Sequence, residues 1–133
     1  MPEHHVLFVC LHGAAKSVIA ATHFERLATA RGLRARAAFA GREPDPEILP
    51  RVARELLAEG IDVRAFRPRQ VTDADVASAS RVITFGCDLG APARGFVIER
   101  WDDVPAVSED YEAARAAIDA HLARLLEELE ARA

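Results

Sequence analysis

The chain has 133 residues, the size of one compact domain, so residues 1–133 are expected to form a single unit. Half of the residues are apolar and 29% are charged, the balance of a soluble globular protein and not of a disordered chain. Seventeen basic residues against 21 acidic ones leave a net charge of −4, which excludes a broad basic footprint for nucleic acid or an acidic membrane surface.

The N-terminus, Met1-Pro2-Glu3-His4-His5, has no basic region ahead of a long apolar core, so no secretory signal is expected. Val6-Leu7-Phe8-Val9 is a short apolar run with β-branched character and reads as a strand buried on both faces. From Ser17 the pattern changes to a helix with Ala20, Phe24 and Leu27 on one face, ended by Gly32. Residues 35–40 are a weaker strand, and the prolines at 44, 46 and 50 predict a loop or helix entry. Ile48, Val52 and Leu56 share one side of a second helix that Gly60 terminates. Thr72-Asp73-Ala74-Asp75 predicts a capping box opening a short helix. Arg81 to Gly86 is a clear strand, and Phe96-Val97-Ile98 is expected as a fourth. The last helix carries Tyr111, Ala114, Ile118, Leu122, Leu125 and Leu129 at spacings of three and four. No run approaches the roughly 20 apolar residues of a membrane span. Alternating strands and helices predict an α/β fold: one doubly wound domain with a four-stranded parallel sheet flanked by helices.

In such sheets ligands sit beyond the carboxyl ends of the strands. There the sequence reads Cys10-Leu11-His12-Gly13-Ala14-Ala15-Lys16-Ser17: a cysteine at a strand end, five residues, then a cation and a hydroxyl where a helix begins. Successive backbone N–H groups of Leu11, His12, Gly13, Ala14, Ala15, Lys16 and Ser17 can surround a tetrahedral anion. The same positive potential favours a nucleophilic thiolate. Gly13 permits the backbone of a tight loop, Lys16 can neutralise ligand charge, and Ser17 can donate to the sulfur. A loop histidine such as His12 either orients an anion or is simply exposed.

Val-Leu-Phe-Val-Cys followed by this loop resembles the low-molecular-weight protein tyrosine phosphatases and the related thiol-dependent arsenate reductases. Further points of resemblance are Ala40-Gly41, Gly60-Ile61-Asp62, Arg67-Pro68-Arg69, the strand end at Gly86-Cys87-Asp88, and Trp101 with its acidic turn. Gly86-Cys87-Asp88 is similar to the arsenate reductase branch. The resemblance implies Cys10 as nucleophile and a general-acid aspartate in the turn after Trp101. Asp103 is the first choice there and Asp102 the second, since Asp103-Val104-Pro105 departs from the family's Asp-Pro. Three other departures stand out. Lys16 replaces the family's arginine, giving a point charge without a planar fork. Gly13 replaces an asparagine. The chain has two cysteines where thioredoxin-coupled reductases use three.

Two cysteines are too few for a disulfide scaffold and fit a reduced, cytoplasmic compartment. The leading expectation is a thiol-dependent arsenate reductase acting on an arsenate- or phosphate-type oxyanion, with Cys87 as resolving thiol. Thioredoxin, glutaredoxin or a low-molecular-weight thiol would be its reductant, and no metal or cofactor is expected. The alternatives are an aryl-phosphate or phosphotyrosine phosphatase, or an oxyanion-binding relative with little turnover.

Overall fold

The computed structural model describes residues 4–90 and 95–131. The extreme N-terminus, read above for a targeting signal, lies outside the described residues, as do positions 91–93 downstream of Cys87. The elements run β1 (His4–Cys10), α1 (Lys16–Ala30), β2 (Ala35–Gly41), α2 (Pro50–Ala58), α3 (Asp73–Ser78), β3 (Arg81–Phe85), β4 (Glu99–Arg100) and α4 (Tyr111–Ala131). The sheet has the order β2-β1-β3-β4, and every pairing in it is parallel. This is the expected α/β layer.

β1 is central because its residues are apolar on both faces. Val6, Phe8 and Cys10 pack with α1 and α4, where Phe24, Ile118 and Leu122 are fully buried. Leu7 and Val9 face the other way, against Val76, Val82, Cys87 and Leu89. Phe8 anchors the first layer, its ring 6.0 Å from Phe24 and 5.8 Å from Trp101. All six residues expected to form the apolar stripe of α4 are buried. α3 opens with the expected capping box, Thr72 accepting from the Asp75 amide and Asp75 accepting from the Thr72 amide. The second helix begins at Pro50, so buried Ile48 belongs to its approach.

The fourth strand departs from expectation. It is Glu99–Arg100, paired with Ile83 and Thr84, whereas Phe96 and Val97 are exposed. An edge strand of two residues needs little burial, so apolar content does not mark it. Polar contacts fix it instead: Glu99 accepts from Arg81 at 2.6 Å and from the Trp101 indole at 3.1 Å.

The register brings three strand ends level, Cys10 opposite both Gly41 and Phe85. The loop that follows Cys10 therefore opens at the carboxyl edge of the sheet.

Candidate active site

Between β1 and α1 the loop carbonyls turn outward. Cys10, Leu11, His12 and Ala14 accept from the amides of Arg42, Glu43, Asp45 and Leu49 at 3.3, 2.7, 3.0 and 3.0 Å. The amides of Leu11, His12, Gly13, Ala14 and Ala15 donate to no acceptor among the described residues. Carbonyls held outside leave N–H groups for an anion inside, with the start of α1 adding its positive end. The outer segment suits this task. Its donors alternate with Pro44 and Pro46, which have no N–H to give. Gly13 has φ +60°, and a Cβ there would lie 2.7 Å from the Gly41 nitrogen. Gly41 is constrained in return, because its own Cβ would lie 2.7 Å from the Gly13 nitrogen. Two glycines let the loop press directly on the end of β2.

Cys10 is buried at the head of α1, its Sγ 3.1 Å from Ser17 Oγ. A cleft of about 400 Å³ opens from it. Leu11, His12, Ala14, Ala15 and Lys16 line the loop side, and Asp45 and Leu49 the outer segment. Phe85 and the segment Ala106-Val107-Ser108 complete the walls. Lys16 lines the cleft, yet its Nζ donates to the Val104 carbonyl at 2.9 Å, tying the loop to the facing wall. His12 Nδ1 lies 3.1 Å from the Glu43 carbonyl and 3.4 Å from Asp45 Oδ1.

The expected acids are not brought to this cleft. Asp102 accepts from the Gly86 amide at 3.0 Å and from Arg100 at 2.9 Å. Asp103 accepts from His121 at 2.7 Å, and that hydrogen bond holds its carboxyl below the usual range. His121 is itself stacked on Trp101 at 4.5 Å. Both carboxylates are committed elsewhere, and the wall they were expected to arm is Ala106-Val107-Ser108. Trp101 and Tyr111 are core residues and do not line the cleft.

Cys87 is also buried, its thiol directed at the Val9 carbonyl at 3.8 Å. Burial, and then the charge of Cys10, push its thiol above the ordinary value. The two thiols pack on opposite faces of the sheet, Cys10 toward α1 and Cys87 with Leu7 and Val9. Arg42 ties both neighbourhoods together: its amide holds the Cys10 carbonyl, and its guanidinium donates to the Leu89 carbonyl. Sequence reading passed over Arg42 and Asp45. The prolines flanking Asp45 were the available sign, since they mark which outer residues can donate.

On this fold, a strand-end thiol sits beneath amides that have no acceptor among the described residues. The chain belongs to the low molecular weight phosphotyrosine protein phosphatase family, which it matches over residues 5–90. Members of that family are cysteine-dependent phosphatases or arsenate reductases. A thioredoxin-dependent arsenate reductase of Corynebacterium glutamicum is 27% identical with a TM-score of 0.81, covering 99% of this chain. This chain spans 64% of the length of that one. YfkJ from Bacillus subtilis shares the fold at 22% identity and a TM-score of 0.84, covering 99% of this chain and 98% of its own. A low molecular weight protein tyrosine phosphatase from T. tengcongensis does so at 19% and 0.71, covering 98% and 100%. No curated protein matches the chain in sequence.

Proposed function

We propose that the chain is a thiol-dependent arsenate reductase with Cys10 as nucleophile and Cys87 as resolving thiol. Arsenate seats on the amides of residues 11–17, with Lys16 and the Ser17 hydroxyl beside it. The Cys10 thiolate forms an S–As bond while an As–O bond breaks, and the departing oxygen takes a proton and leaves as water. The Cys87 thiolate then attacks the Cys10 sulfur. An S–S bond forms, the S–As electron pair passes to arsenic, and As(V) becomes As(III) as two thiols become one disulfide. Thioredoxin, glutaredoxin or a low-molecular-weight thiol returns the two electrons.

The observation that carries this reading is the second buried thiol, whose hydrogen bond reaches the residue just before Cys10. Because the thiols pack on opposite faces, the step requires the turn 86–90 to leave its packing. Gly86 at φ +75° and Gly90 at φ +66° flank that turn, and glycine crosses such regions at low cost. The likeness to the Corynebacterium enzyme supports the same chemistry. With no third cysteine in the chain, the Cys10–Cys87 disulfide is the species the external thiol must reduce. Phosphomonoester hydrolysis is the second reading, favoured by the Ser17 contact to Cys10, but it gives Cys87 no task.

Purified reduced protein should be given arsenate without reductant and its thiols read by mass spectrometry. One Cys10–Cys87 disulfide and one arsenite per chain are expected, and Cys87→Ser should abolish catalytic turnover. Both thiols remaining free, or full turnover by Cys87→Ser, would overturn the reductase reading. Aryl-phosphate hydrolysis measured alongside decides for or against the second.

A further inference from the structure

The reaction just proposed expels an oxygen that needs a proton, and the cleft shows few groups able to give one. Cys10 is the nucleophile, and Lys16 already donates to Val104. Asp102 and Asp103 are held by Gly86, Arg100 and His121, away from the cleft. The Ser108 hydroxyl is too weak an acid for this role near neutral pH. His12 and Asp45 remain, and they lie together.

The geometry fixes which ring nitrogen of His12 is exchangeable. Its Nδ1 is 3.1 Å from the Glu43 carbonyl, and a carbonyl can only accept, so Nδ1 carries a hydrogen. The Asp45 carboxylate lies 3.4 Å from the same nitrogen, so it too faces Nδ1. The pair is tied a second time through the main chain, the Asp45 amide donating to the His12 carbonyl at 3.0 Å. Nε2 is left as the nitrogen that gains and loses a proton. The side chain is 53% exposed, so solvent can restore that proton between turnovers. His12 also belongs to the anion-binding loop itself, and both residues line the same cleft as Cys10.

We infer that His12, oriented by Asp45 and the Glu43 carbonyl, is the proton donor to the leaving oxygen in this cleft. The inference rests on the site reading above but not on Cys87. As the S–As or S–P bond forms and the bond to the leaving oxygen breaks, that oxygen keeps the electron pair and takes the proton from Nε2. Imidazolium becomes neutral imidazole, and water reprotonates it. Protonation thus comes from the loop side of the anion, not from the wall after Trp101.

The test compares wild type, His12→Asn and Asp45→Asn on two esters. p-Nitrophenyl phosphate has a leaving group needing little proton assistance, whereas phenyl phosphate needs much. His12→Asn is expected to lower kcat on phenyl phosphate by about 10²–10³ and on p-nitrophenyl phosphate only several-fold, given the usual size of acid catalysis. Inhibition by inorganic phosphate should stay within about twofold, because the anion is held by amides. Asp45→Asn should move in the same direction by a smaller factor. Equal losses on both esters, or no loss, would overturn the assignment. If arsenate is reduced and both esters are inert, the comparison passes to single-turnover arsenate reduction. There a loss of about tenfold or more in His12→Asn with phosphate affinity kept supports the role. An unchanged rate there overturns it, as does a wild type inert on all three substrates. Failure of the reductase reading shows separately, as absence of the Cys10–Cys87 disulfide.

Discussion

Lys16 is the only lysine in a chain that carries 16 arginines, and its ammonium both borders the cleft and grips the Val104 carbonyl. One ammonium offers one directed contact at a time to an anion, whereas a guanidinium can serve the anion with two N–H groups. Lys16→Arg is therefore expected to raise kcat on p-nitrophenyl phosphate at least about tenfold, the scale of one added preorganised donor. Lys16→Ala loses the charge and the Val104 tie together, and should weaken inorganic phosphate binding by roughly tenfold. Steady-state kinetics with phosphate as inhibitor checks both. At this scale the sequence was legible where spacing carries the chemistry: Cys10 and Ser17 stand seven residues apart, and their side chains meet. The acidic turn was not legible. Whether Asp102 or Asp103 reaches the cleft depends on partners distant in the chain, Gly86 and His121, and these capture both carboxylates.

Helices α1 and α4 meet across a polar cluster that no local pattern announces. Buried His23 lies between Arg115, 3.2 Å from its Nδ1, and Glu59, 3.6 Å from its Nε2. Burial, and then the charge of Arg115, hold this imidazole below its ordinary 6.5. The unfolded chain takes the proton more readily, so the contribution of His23 is complete above about pH 6.5 and declines as the pH falls toward its lower folded value. Urea unfolding should show that decline between about pH 7 and pH 5, and His23→Gln should flatten it. A second prediction concerns the turn 86–90. It is held at one end by Asp102 and at the other by Arg42, whose guanidinium meets the Leu89 carbonyl. Arg42→Gln should speed amide exchange at 86–90 and quicken alkylation of Cys87, by about tenfold for one charge-assisted bond. Hydrogen exchange and timed alkylation read by mass spectrometry measure both. Among the elements, the capping box at Thr72 and the stripe of α4 were visible because they are local or periodic. β4 was not, because two residues on an edge carry no period and are fixed by Arg81 and Trp101.

Across the whole molecule, alternation of strands and helices made the α/β layer legible, and the rule of carboxyl edges located the loop. What stayed hidden is how the loop is supported, since that depends on the register joining Cys10 to Gly41 and Phe85. The row of outer amides from Arg42 to Leu49 works like a mould around a casting. These amides set the polarity inside the loop, because each carbonyl gripped from outside is one kept from facing in. Glu43→Pro would remove the amide that holds Leu11 at 2.7 Å while leaving the residues that line the cleft untouched. Released, that carbonyl can rotate inward and set a negative dipole where the proposed oxyanion would sit. Phosphate affinity is expected to fall by about tenfold or more with the fold retained, as isothermal titration and circular dichroism would show. A chain of this design can lose its ligand through a substitution in a residue whose side chain never meets it.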